Sequence, residues 1–174
     1  GGFDVQLLSE IAGRPNVVGI KKGSGGGPSL ILNDHLDTWP GGDRSKWTMT
    51  NHDPFNPTMH GRFLYGRGAA DTRGNLACQL FAVKTLMKLG LRFQGDLILA
   101  YTVDEERGVN NGAKFLLEKK GLKADYALVG EPIMWSGTAH DCLVLDLDRD
   151  VVGRADFVGG MLGRFQLVRR RFDQ

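Results

Sequence analysis

Asp96-Leu97-Ile98-Leu99-Ala100-Tyr101-Thr102-Val103 is the stretch on which the fold turns. It is a mostly apolar run with β-branched and aromatic members, and it reads as a buried strand. Upstream, residues 74–89 put Leu76, Ala77, Leu80, Phe81, Val83, Leu86 and Met87 on a broad apolar stripe. That spacing predicts a helix, and Gly90 ends it. Downstream, residues 111–120 read as a short helix with Ala113, Phe115, Leu116 and Leu117 inside, stopped by Gly121. Residues 124–129 (ADYALV) form a further strand, and residues 30–33 (LILN) an earlier one. Strand, helix, strand, helix, strand is the order of an α/β sheet.

The rest of the chain bounds what such a sheet can do. The sequence has 174 residues, 41% hydrophobic and 24% charged, which is globular composition. A net charge of +2 gives no general affinity for nucleic acid or for a membrane surface. No apolar run approaches the ~18 residues of a membrane span. Two cysteines, Cys78 and Cys142, cannot form a disulfide scaffold, so a reducing, cytoplasmic setting is expected. Cys78 is read as a buried, inert thiol on the apolar side of its helix.

Glycine is abundant, at 25 residues. The densest cluster, residues 23–28 (GSGGGP), precedes a strand rather than following one. A dinucleotide loop must follow a strand and open a helix, so a turn is the better reading. Turns such as 23–27, 66–68 and Gly130 are expected to bring backbone close around the functional site. Residues 37–67 read as a long irregular stretch, taken as functional because of what flanks it. After Pro132 the pattern changes. Residues 142–152 alternate like a half-exposed strand, and this predicts a new domain. The basic residues 164–172 read as a solvated terminal segment.

Polar residues then fall on this skeleton in a particular way. His35 and Asp37 follow one strand, Glu105 and Glu106 the next, and Glu131 the third, while Asp71 precedes the long helix. In open α/β sheets, sites form beyond the carboxyl ends of the strands. Each acid has a plainer role open to it: Asp37 in a turn, Asp71 as a helix cap, the glutamates as solvated loop acids. Together with a histidine on this skeleton they point to a divalent metal, because clustered carboxylates without one resist ionising together. His-x-Asp spacing puts both side chains on one face, so Asp37 can orient the His35 ring. Adjacent glutamates point in opposite directions in extended chain, so one serves as ligand and the other as general base. His52, His60 and His140 have no acidic partner at useful spacing and are read as structural.

Four segments resemble the M20 family of metallohydrolases, a group of deacetylases, desuccinylases, carboxypeptidases and dipeptidases. They are residues 32–40 (LNDHLDTWP), Asp53-Pro54-Phe55 with residues 64–74 (LYGRGAADTRG), residues 102–106 (TVDEE) and residues 129–132 (VGEP). The resemblance covers roughly residues 17–137. It implies a three-layer α/β catalytic domain, here partial over 1–137, with the start of an inserted α+β lid and dimerisation domain over 138–174. It implies two Zn2+ ions, with Co2+ as a substitute, held by His35, Asp71, Glu106 and Glu131, with Asp71 bridging. Glu105 is then the general base and Asp37 orients His35. The implied reaction is hydrolysis of an amide bond in an N-acyl amino acid or short peptide, with a homodimer formed through the lid. Three departures accompany the resemblance. Asp34 stands where the family usually has Gly. Phe157 stands where the lid usually has a His. A further metal-binding His, expected near the end of the catalytic domain, lies beyond this chain. The rival reading is a non-catalytic remnant acting as a binding or dimerising module.

Overall fold

The computed structural model describes residues 2–131, together with the backbone of residues 164–169. The predicted strand at 142–152, the domain boundary after 137, and His140, Cys142 and Phe157 lie outside the described residues.

A mixed six-stranded sheet organises the chain, in the order β1-β2-β6-β3-β7-β8. Its strands are β1 (Asp4–Leu8), β2 (Asn16–Lys21), β3 (Leu30–His35), β6 (Leu97–Thr102), β7 (Tyr126–Glu131) and β8 (Arg164–Arg169). The three strands expected from the α/β pattern, β3, β6 and β7, pair in parallel at the centre. The flanking strands pair antiparallel. The α/β reading therefore holds, with antiparallel edges added to the parallel centre.

Strand β6 is buried at all six positions, as its continuous apolar run requires. Alternation splits it between two cores. Ile98 and Ala100 pack with Val18, Ile31, Phe115 and Leu116. Leu97, Leu99 and Tyr101 pack with Leu32 and Val83. Helix α1 (Gly74–Lys88) covers the second face through Val83. The first face is covered by a short helical segment over residues 113–119, through Phe115 and Leu116. The helix expected over 111–120 is present in shortened form over residues 113–119, although Leu117, expected inside, is 48% exposed. The start of that stretch is spent on capping contacts, with Asn111 donating to Asp104.

Other expectations change as well. The stripe assigned to α1 is rotated: its buried residues are Asn75, Gln79 and Val83, while Leu80 and Phe81 are exposed, Phe81 by 67%. Cys78 is exposed with them rather than buried. A stripe this broad does not fix the helix's rotation, and tertiary contacts chose the narrower line at 75, 79 and 83. The irregular stretch 37–67 contains a hairpin, β4 (Thr58–His60) with β5 (Phe63–Tyr65), turned at Gly61. The basic segment 164–172, read as a terminal segment without regular structure, contains β8, antiparallel to β7. An open edge of β7 offers unpaired backbone groups, and Phe165, Leu167 and Val168 carry strand propensity.

The glycine turn at 23–28 sits at the amino edge of β3 and β6. Ser24 and Gly25 donate to the carbonyls of Phe93 and Gln94, and the Gly23 N–H donates to Asp96. A Cβ on Gly95 would lie 1.8 Å from the Pro28 carbonyl oxygen, so only glycine permits this approach. That edge is a strand's length from His35, roughly 20 Å by strand geometry. The turn therefore closes the far end of the sheet and does not surround the functional site.

Candidate metal centre

Parallel pairing places the ends of β3, β6 and β7 along one edge. His35 closes β3 opposite Thr102, and Glu131 closes β7. Asp104 follows β6 in left-handed backbone (φ 67) and is held by Asn111 Nδ2 at 2.8 Å. That bend starts a short turn, Glu105–Arg107, which returns both glutamates to the edge. Asp71 comes from the segment Ala69–Arg73, entered through Gly68 at φ 83. Its own backbone is non-helical (φ −112, ψ 96), and it does not cap α1.

His35 is 2% exposed. Its Nδ1–H donates to the Asp37 carbonyl at 3.0 Å, with the Asp37 carboxylate 3.5 Å away. A ring held this way presents Nε2 to the site. Nε2 lies 3.0 Å from Asp71 Oδ1 and 3.9 Å from Glu105 Oε2. One ligand atom each from His35, Asp71 and Glu131 falls within 4.8 Å of the others. The Asp37 carboxylate is occupied elsewhere. It accepts the N–H groups of Glu105 (3.2 Å) and Glu106 (3.3 Å), binding the acidic turn to the end of β3. Glu106 Oε1 accepts from the Trp39 N–H and lies outside the cluster of three. Asp37 thus touches the ring mainly through its backbone, and its side chain positions the two glutamates.

The electrostatics favour a cation at this cluster. Burial, reinforced by Glu105, pushes the Glu131 carboxyl up to about 7. Burial pulls the His35 imidazole down, but Glu105, Glu131 and Asp71 outweigh it and raise it overall. Burial also raises Glu106, with Asp71 adding to it. Two carboxylates, from Asp71 and Glu131, converging with one imidazole are a donor set suited to a hard or borderline divalent ion. The residues therefore fit a metal.

Behind this cluster lies a buried polar layer that residue spacing did not reveal. Asp34, 1% exposed, points away from the cluster toward α1, on the strand face opposite His35. Burial lifts its carboxyl to about 6 against hydrogen bonds from Thr72 and the His35 N–H, which lower it. Thr72, Asn75 and Gln79 share this layer. The one available signal was polar residues at 75 and 79 in line with Val83. The loop histidines make local contacts: His52 Nδ1 with the Arg44 carbonyl and His60 Nε2 with that of Met49.

Comparison with known proteins gives the class. The model of Peptidase family M20/M25/M40 matches residues 31–168, and the chain belongs to that family. A deformylase from Bacillus subtilis (strain 168), N-formyl-4-amino-5-aminomethyl-2-methylpyrimidine deformylase, is 38% identical over 132 residues, covering 75% of this chain and 30% of the relative. Succinyl-diaminopimelate desuccinylase from Polynucleobacter necessarius subsp. necessarius (strain STIR1) is 38% identical over 122 residues, covering 67% of this chain and 31% of the relative. Among solved structures, an M20 family metallo-carboxypeptidase from Sulfolobus solfataricus superposes with a TM-score of 0.62 at 28% identity, covering 73% of this chain and 28% of that one. The chain spans about a third of the length of the curated relatives it matches.

Proposed function

We propose that this protein is a cytoplasmic, zinc-dependent hydrolase that cleaves an amide bond in an N-acyl amino acid or a short peptide. The observation that carries the proposal is the meeting of His35, Asp71 and Glu131 within 4.8 Å at the carboxyl edge of the parallel strands. Family membership and relatives named deformylase, desuccinylase and carboxypeptidase support the amide class.

In this reading His35, Asp71 and Glu131 hold metal, and Glu106 joins them as a further ligand. Bound zinc supplies Lewis acidity to the carbonyl and makes water a nucleophile near neutral pH. Glu105 acts as the base in this reading, which its 40% exposed side chain and its 3.9 Å distance from His35 Nε2 support. It takes a proton from the attacking water and passes it to the leaving amine. Asp37 holds the Glu105 backbone, so the base keeps one position through both transfers. Homodimerisation through the segment after residue 137 belongs to the same proposal.

Elemental analysis and hydrolysis of N-acetyl, N-succinyl, N-formyl and dipeptide substrates test it. Bound zinc with turnover that Glu105→Gln abolishes is the expected result. No metal and no turnover would establish the non-catalytic alternative.

A further inference from the structure

The buried layer behind the ligands converges on one carboxylate. Asp34 Oδ1 accepts the N–H of His35 at 2.9 Å and also the hydroxyl of Thr72. Asp34 Oδ2 faces Gln79 Nε2 at 3.5 Å, and Gln79 in turn donates to the Asn33 carbonyl at 3.0 Å. On its other side the same oxygen abuts Gly130, where an added Cβ would come within 2.6 Å. His35, Thr72 and Gly130 have a shared property. Each is, or is bonded to, one of the three clustered ligands: His35 itself, Asp71 before Thr72, and Glu131 after Gly130.

We propose that Asp34 is a positioning residue, whose carboxylate sets the spacing of His35, Asp71 and Glu131 through the His35 N–H, the Thr72 hydroxyl beside Asp71, and close packing against Gly130 beside Glu131. The inference rests on the metal reading above and adds a residue that the cluster itself does not contain. The geometry explains why a carboxylate suits the position. It offers two oxygens and no hydrogen, so one oxygen receives two donors from β3 and the Asp71 segment. The other receives Gln79 and leaves room only for a glycine in β7. Ligands from three separate elements are thereby referenced to one rigid, water-excluded group. Partners of this kind, once removed, typically cost about 10–100-fold in metal affinity.

Zinc affinity of the full chain, measured by competition with a chromophoric chelator, provides the test, together with the visible spectrum of the Co2+ form. Thr72→Val, which removes the hydroxyl and keeps the shape, is expected to weaken zinc binding about 10–100-fold and to alter the Co2+ bands. Thr72→Ser, which restores the hydroxyl, is expected to return both to wild type. Asp34→Asn is expected to resemble Thr72→Val. If Asp34→Asn does not fold, the Val and Ser pair at Thr72 carries the test unaided. Wild-type affinity and an unchanged Co2+ spectrum in Thr72→Val would overturn the inference and leave the metal reading standing. Failure of Thr72→Ser to restore what Thr72→Val loses would also overturn it. A wild-type chain that takes up no zinc would overturn the metal reading, and this inference with it.

Discussion

Asp37 shows how one residue's side chain and backbone divide the work. Its carbonyl accepts a hydrogen bond from the His35 ring N–H, and its carboxylate accepts two from backbone N–H groups of the turn that carries Glu105 and Glu106. Spacing along the chain predicts contact between Asp37 and His35, because a strand puts i and i+2 on one face. It does not predict the carboxylate's attachment to residues almost seventy positions away. Replacing that carboxylate should therefore disturb the base more than the ring. Asp37→Ala is expected to lower kcat about 10–100-fold while His35, whose ring still reaches the residue 37 carbonyl, continues to bind zinc. Steady-state kinetics beside zinc stoichiometry checks this, and loss of zinc in step with kcat would place the role of Asp37 at the ring instead.

At the scale of elements, apolar periodicity identified α1 and β6 but could not orient the helix. Leu116 and Phe81 were both read from the sequence as inward. Leu116 is 1% exposed in the core beneath the sheet, whereas Phe81 stands on the outer side of α1. The two should therefore respond very differently to truncation. Leu116→Ala is expected to cost about 2–5 kcal/mol, and Phe81→Ala no more than ~0.5 kcal/mol. Urea unfolding of both variants measures the difference, and equal losses would mean that α1 packs with its Phe81 face inward. The edge strands follow the same logic. β1 alternates apolar Val5 and Leu7 with polar Asp4 and Gln6, yet Val5 and Leu7 are 60% and 66% exposed, so its alternation marks a strand without a face buried in the core. It forms because β2 presents an open edge, in register from Asp4 opposite Ile20 to Leu8 opposite Asn16.

For the whole molecule, the candidate site is a source of instability until its charge is balanced. Glu131 is raised to about 7 from 4.5, Asp34 to about 6 from 3.8, and His35 is raised from 6.5. In each case the folded chain holds its proton more tightly than the unfolded chain does. Between pH 5 and 8, lowering the pH therefore stabilises the metal-free fold. The carboxylates held below their usual range, Asp43, Asp96 and Asp125, titrate below this window and do not oppose the trend. Thermal unfolding of the metal-free protein should rise in midpoint as pH falls from about 8 to about 5.5. Added zinc should stabilise most at the alkaline end, where the ligands are already deprotonated. A midpoint that falls over this range without metal would contradict the charge balance described here.

The sequence alone determined the chemistry and the order of parts. Donor types, their placement after apolar runs and the central strand–helix–strand alternation are local properties, written in residue identity and spacing. The tertiary structure decided what depends on residues far apart in the chain. It set the rotation of α1, the pairing of β1, β2 and β8 at the sheet edges, and the removal of the glycine turn to the far end. It brought His35, Asp71 and Glu131 within reach of one another and left Glu106 outside that group. It also set Asp34 against Thr72 and Gly130. Strand alternation put Asp34 on the face opposite His35, but only packing of three elements on that face made its carboxylate a common point of contact.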